Sequence, residues 1–193
     1  MTDFSVLKEE FETILKELVL ARTPKNLIGL REMVSYHFGW NDPAPKTGKR
    51  LRPMLLLASS HLFGGNPQEL IPAAVAMEVL HNYTLVHDDI EDEGETRHGR
   101  VCLWRQYGLA QSLNTGDFLS TMAHDIFFEV EPFVKPGDFK RAYAVFRQAS
   151  LGVLRGQYMD IHFEDESNVS VDDYLEMIHL KTSCLISASI RIG

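Results

Sequence analysis

The chain has 193 residues, 45% of them hydrophobic and 24% charged, with a formal net charge of −8. That length and balance suit one globular domain with a sizeable core, and they exclude disordered and membrane-spanning classes. The acidic surplus argues against a general nucleic-acid binder and is compatible with an acidic, cation-loaded site. Cys102 and Cys184, the two cysteines, have no metal or redox spacing and read as free thiols of a reducing compartment. The amino terminus is polar and acidic, unlike a signal or transit peptide, and no apolar run reaches bilayer length. The expectation is a soluble cytoplasmic domain with no nucleic-acid partner and no stable membrane insertion.

In chain order, the periodicity predicts helix after helix. Phe4, Leu7, Phe11, Ile14, Leu15 and Leu18 recur at three- and four-residue intervals, an amphipathic helix that ends before Pro24. Leu27, Leu30, Met33 and Val34 repeat the pattern, and the Gly- and Pro-rich stretch 39–48 breaks it as a loop. Helix resumes over 49–62, with Pro53 tolerable in its first turn. The run that begins near Gln68 and reaches Asp89 is apolar on most faces, which marks a central helix buried among others. Helical segments follow over 109–130, closed by Pro132, Pro136 and Gly137, and over 139–163. Ser170 with Asp173 has the form of an N-cap with an acid at N3, opening a helix through Ile190. No strand pair with a hairpin turn and no short-period repeat stands out. The fold class is all-α.

The stretch 81–100, HNYTLVHDDIEDEGETRHGR, carries the chemistry. On a helix Asp88 and Asp92 share one face, with His81 two turns earlier. Stacked carboxylates with no cation at helical spacing repel each other, and both are hard oxygen ligands. Mg²⁺ is held in this way, by one or two carboxylates plus substrate phosphate oxygens. Arg97, His98 and Arg100 follow at once and suit the phosphates. The plainer alternative is a solvated acidic helix end followed by a basic loop. Asp172 and Asp173 make a contrast: at a helix start, carboxylates are favoured by the helix dipole. At the far end, where Asp88 and Asp89 stand, they are disfavoured, so something other than helix stability accounts for them.

A second cluster, Gly48-Lys49-Arg50-Leu51-Arg52-Pro53, places cations at a helix start, a ready anion site. Lys49 and Arg52, three apart, could grip one phosphate together; a solvated basic helix start is the alternative. Beside the carboxylate pair, the combination points to diphosphate handling.

GKRLRP, EVLHNYTLVHDDIEDEGETRHGR, GQYMD and HLKT, in that order, resemble the trans-isoprenyl diphosphate synthases, the head-to-tail prenyltransferases that include farnesyl and geranylgeranyl diphosphate synthases. The resemblance implies an all-α isoprenoid-synthase bundle. It makes Asp88 and Asp92 the Mg²⁺ ligands of a first aspartate-rich motif, with Asp89 its middle member. Lys49, Arg52 and His81 match positions that hold isopentenyl diphosphate, and Arg97 matches the grip on the allylic diphosphate. Lys181 and Thr182 match a pair near that diphosphate, and Gln157 and Asp160 a helix lining the same cavity. A homodimer is implied as well.

Two departures stand out. Where the family commonly has Arg-Arg-Gly, this chain has Arg97-His98-Gly99, and His98 would contact isopentenyl diphosphate only when positioned or protonated to donate. Weaker or pH-sensitive binding is the expectation there. No second aspartate-rich motif precedes Gly193, so the resemblance makes residues 1–193 the N-terminal portion of a single longer prenyltransferase domain, inactive or nearly so by itself.

The implied reaction ionises an allylic diphosphate, adds isopentenyl diphosphate to the cation and loses a proton. Mg²⁺ on Asp88 and Asp92, with Arg97 and Lys181, would stabilise the departing diphosphate, and apolar helices would keep the cation dry. By resemblance, Tyr83, five before the first aspartate, forms the floor of the elongation pocket. With small Thr84 beside it, Tyr83 points to a short product, C15–C20, with C20 geranylgeranyl diphosphate the reading adopted. Rival readings are a His-Asp phosphohydrolase, a terpene cyclase on the same fold and a non-catalytic prenyltransferase subunit.

Overall fold

The structure, a computed structural model, describes residues 4–42 and 48–193. Residues 43–47 of the predicted loop lie outside the described residues, as do residues 1–3. Helices α1 (Phe4–Arg22), α2 (Ile28–Phe38), α3 (Leu51–Leu62) and α4 (Ile71–Glu91) come first. A small hairpin follows, β1 (Thr96–Arg97) and β2 (Arg100–Val101), and then α5 (Leu103–Tyr107), α6 (Leu109–Phe127), α7 (Pro136–Glu164), α8 (Val171–Ile178) and α9 (Cys184–Ile192). The fold is all-α. Among the described residues no helix is long and apolar enough to cross a membrane.

Helix α4 is the centre because the sequence of its first half leaves no solvent face. Ala73, Ala74, Val75, Ala76, Met77, Val79 and Leu80 point in successive directions around the helix, and all are buried. A helix apolar all round is stable only when covered all round. Here α6 runs along it, with α3, α1 and α5 closing the remaining sides. Ala73, Ala74 and Ala76 let neighbours approach, and Met77 and Leu80 are large side chains buried beside them. Fully burying a side chain of that size is worth roughly 1.5–3 kcal/mol. An aromatic cluster joins α6 to α7, with the Phe127 and Phe146 ring centroids 4.8 Å apart.

One polar knot crosses this core. Arg50, just before α3, donates to Glu12 of α1 at 2.8 Å and to Glu78 of α4 at 2.6 Å. The Arg50 and Glu78 side chains are 5% and 6% exposed. Arg50 therefore belongs to the fold and is withdrawn from the basic cluster that the sequence suggested. Asn82 completes the knot by donating to Glu78 at 3.1 Å.

The element boundaries differ from expectation where backbone geometry intervenes. Helix α3 begins at Leu51, not Lys49, because Arg50 adopts a left-handed φ of 53°. Lys49 thus precedes the helix. Pro136, read as a stop, instead opens α7, where its missing N–H costs nothing. The predicted helix 170–190 is capped as expected, the Ser170 hydroxyl accepting from the Asp173 N–H at 3.1 Å, but it widens into a π turn at His179–Ser183. Strands do occur: Thr96 pairs with Val101 and Arg97 with Arg100. The two residues between them, His98 and Gly99, both have positive φ, 53° and 81°, as a type I′ turn requires.

Removing Arg50 leaves a buried carboxylate without its cation. Arg50→Met is expected to lower unfolding stability by about 3–5 kcal/mol, and Arg50→Met with Glu78→Leu to recover much of it. Urea denaturation followed by circular dichroism checks both. A loss below about 1 kcal/mol in the single variant would show that Glu78 finds another partner.

Candidate active site

Asp88, Asp89 and Asp92 close the C-terminal end of α4. Asp92 is the cap, its N–H donating to the Asp88 carbonyl at 2.8 Å, so the helical register holds through the motif. The three carboxylates do different work. Asp89 is buried and is gripped by Arg97, whose Nε lies 2.8 and 2.9 Å from its two oxygens and whose Nη2 lies 2.6 Å from one of them. Asp88 has no such partner among the described residues. Burial pushes its carboxyl up to about 6, with Lys181 opposing the shift and Asp92 and Glu91 adding to it. Asp92 is exposed beside it.

Lys181 reaches this end of α4 from the π turn. It forms an ion pair with Asp160 of α7 and lies within electrostatic reach of Asp88 and Asp92. Its placement depends on a close approach of backbones. A Cβ on Gly156 would stand 2.3 Å from the Lys181 backbone nitrogen, so α7 must carry glycine there. The widened turn sits against that glycine. Gln157, next in α7, donates to Glu91 at 2.7 Å, and its buried Oε1 finds no partner among the described residues. Thr182 is exposed in the π turn.

Behind the carboxylates is a group of a different kind. Arg52 Nε, His81 Nδ1 and His37 Nε2 are buried with no hydrogen-bond partner among the described residues. Each such orphan costs on the order of 1–3 kcal/mol, which an acceptor-rich ligand would relieve. Burial, and then the Arg52 charge, lowers His81 to about 3. Burial lowers His37 to about 4. Both rings are neutral at pH 7 and offer hydrogen bonds without charge. Arg97 acts on both halves, since its charge reaches His81, His37 and Asp88. Lys49 and His98 stand exposed, and neither is drawn into the cluster. His37 and Glu91 escaped the sequence reading: nothing in their spacing connects α2 to the end of α4.

Tyr83 is 7% exposed, and its ring meets the His87 ring edge-on with centroids 4.8 Å apart. His87 in turn fits against Gly116 of α6, where a Cβ would come within 2.4 Å of the imidazole. Tyr83 therefore lies on the α4 face packed toward α6. Thr84 is buried, its hydroxyl donating back to the His81 carbonyl at 2.8 Å.

A profile of the polyprenyl synthetase family matches residues 38–193. The chain belongs to the polyprenyl synthetase family. A farnesyl diphosphate synthase of Mycobacterium tuberculosis is 36% identical over 170 residues, 85% of this chain and 46% of that protein. A geranylgeranyl diphosphate synthase of Sulfolobus acidocaldarius is 35% identical over 190 residues, covering 98% and 54% respectively. The crystal structure of the geranylgeranyl pyrophosphate synthetase of Pyrococcus horikoshii superposes with a TM-score of 0.86 at 34% identity, over 98% of this chain and 56% of that one. The chain spans about half the length of the curated relatives it matches. The fold is thus that of an isoprenoid synthase, and both farnesyl and geranylgeranyl diphosphate synthases are among the proteins the chain resembles.

Among the described residues no three His, Cys, Asp or Glu side chains converge on one point. Two hard carboxylates one turn apart, one of them strained toward protonation, suit a divalent cation that completes its shell from substrate oxygens.

The raised Asp88 value has a signed consequence. The folded state holds a proton there more tightly than the unfolded chain does, about 6 against 3.8, so this group's contribution to stability falls as pH rises through that window. Asp88→Asn is expected to stabilise the protein at pH 7 by about 1 kcal/mol after allowance for solvent screening, and to give no gain below pH 4. Thermal unfolding at the two pH values decides it; a variant less stable than wild type at pH 7 would refute the account of Asp88.

Proposed function

We propose that this chain carries the first aspartate-rich face and the isopentenyl diphosphate side of a head-to-tail prenyltransferase. The observation that supports it most is the pairing of two unlike sites at one end of α4. Asp88 and Asp92 with Lys181 form one, and the unpartnered Arg52 and His81 form the other. Each suits a diphosphate, and Arg97 stands between them.

In this reading Asp88 and Asp92 would hold Mg²⁺, which when bound would supply positive charge to the departing allylic diphosphate. Arg97 and Lys181 supply fixed positive charge to the same group, preorganised by Asp89 and Asp160. Gln157 and Thr182 line that side. Arg52 and His81 hold isopentenyl diphosphate, with Lys49 and His98 closing over it from their exposed positions. The neutral His81 donates a hydrogen bond where another cation would repel Arg52. Apolar α4 and α6 exclude water from the allylic cation. Tyr83, wedged against His87, forms the floor that stops chain growth, and the product is C20 geranylgeranyl diphosphate. Residues 1–193 are the N-terminal portion of one prenyltransferase domain that acts in the cytoplasm as a homodimer.

The test uses the full-length gene product with Mg²⁺, isopentenyl diphosphate and a labelled allylic diphosphate, the products being dephosphorylated and sized by chromatography. A C20 product is expected, reduced on the order of a hundredfold or more in rate by Asp88→Ala and lengthened by Tyr83→Ala. A C15 product would keep the reaction and discard the role of Tyr83. Absence of elongation with every allylic starter would discard the reaction.

A further inference from the structure

The hairpin that carries Arg97 breaks a local rule. Its strands are two residues each, and Arg97 is paired directly across from Arg100. Like charges facing each other across an antiparallel pair destabilise it, and a two-strand hairpin this short has little stability of its own. Its position must be imposed from outside.

The outside support is the end of α2. Gly39 and Trp40 close that helix by donating their N–H groups to the Tyr36 and Ser35 carbonyls, at 3.0 and 2.9 Å, a Schellman closure that leaves the His37 carbonyl open. Arg100 fills the gap. Its guanidinium donates to the His37 carbonyl at 3.1 Å and to the Tyr36 carbonyl at 2.8 Å, a cation on the negative end of a helix. Tyr36 returns the bond, its hydroxyl donating to the Val101 carbonyl at 2.8 Å. The seat is tight: the space between Tyr36, His37, Arg100 and the Asp89–Arg97 pair has room for about one water at most. Gly39 is required twice, by its φ of 80° and because a Cβ there would stand 2.6 Å from Arg100 Nη1.

The two arginines are therefore separated by their partners. Arg97 turns to Asp89 and Arg100 to α2. We propose that Arg100, seated on the end of α2 beside Gly39, is a positioning residue that fixes Arg97 for the allylic diphosphate. Asp89 alone would hold the Arg97 side chain but not the backbone beneath it. With Arg100 seated, the hairpin is pinned on both edges and Arg97, still held by Asp89, meets its ligand without reorganising. This inference rests on the proposed prenyl-transfer reading for the identity of its ligand.

The experiment is a double-mutant cycle of Arg100→Gln and Arg97→Gln in the full-length gene product, with KM read separately for the allylic and the isopentenyl diphosphate. Arg100→Gln is expected to raise the allylic KM about tenfold, within the coupling known for contacting residues, and to leave the isopentenyl KM within about twofold. In the Arg97→Gln background it is expected to add nothing further to the allylic KM. Gly39→Ala, which displaces the same guanidinium, should reproduce the effect, and Arg100→Lys should fall between. Equal rises in both KM values, or full additivity with Arg97→Gln, would overturn the proposal and make Arg100 a purely structural anchor. Where Arg100→Gln fails to fold, Gly39→Ala and Arg100→Lys carry the same cycle. If wild type elongates no allylic starter, the prenyl-transfer reading fails on its own. The cycle is then read from calorimetric affinity for inorganic diphosphate with Mg²⁺, where non-additivity supports the positioning role and additivity removes it.

Discussion

Asp88, Asp89 and Asp92 place negative charge at the end of α4 where the helix backbone is itself negative, and the neighbouring elements are arranged around that repulsion. Asp89 is neutralised by Arg97 from the hairpin. Lys181 approaches from the π turn but is itself held by Asp160. Asp88 is left half-buried with its carboxyl raised. A protein selected for stability alone would not retain that arrangement; a positively charged ligand would restore the balance.

Cations near the site divide into those that hold the fold and those left open. Arg50 and Arg52 are two residues apart, yet one is sealed between Glu12 and Glu78 while the other keeps a buried nitrogen free. The left-handed backbone at Arg50 turns its side chain inward just before α3 begins. The same division recurs in the hairpin, where Arg97 faces the carboxylates and Arg100 the end of α2. In each pair one arginine is committed to tying its segment to another part of the fold.

Glycines set the distances at which these groups meet. Gly156 admits the π turn against α7, and Gly116 admits His87 against α6. Each removes one methyl-sized obstacle between packed helices, where interiors are too dense to yield without cost. The π turn adds one residue to the helical ladder and brings Lys181 toward α4; such insertions are frequent at functional sites.

Periodicity and composition determined much by themselves. The all-α class, the central burial of α4 and the cap at Ser170 follow from apolar spacing and from local hydrogen bonding, which act within a few residues. The carboxylate pair was legible for the same reason, since helix geometry alone puts Asp88 and Asp92 on one face. Tertiary structure decided which arginine serves the core and which the site. It also decided that Pro136 begins a helix, that His98-Gly99 turns a hairpin and that Lys181 sits in a widened turn. Nothing local distinguishes Arg50 from Arg52, because the difference lies in Glu12 and Glu78, residues that only folding brings near. The hairpin lacked the Asn-Gly or Asp-Gly signal of its turn type, and its strands are too short to show alternation. Its position is fixed by contacts with α2 more than sixty residues away in sequence, a distance over which no periodicity in the chain can speak.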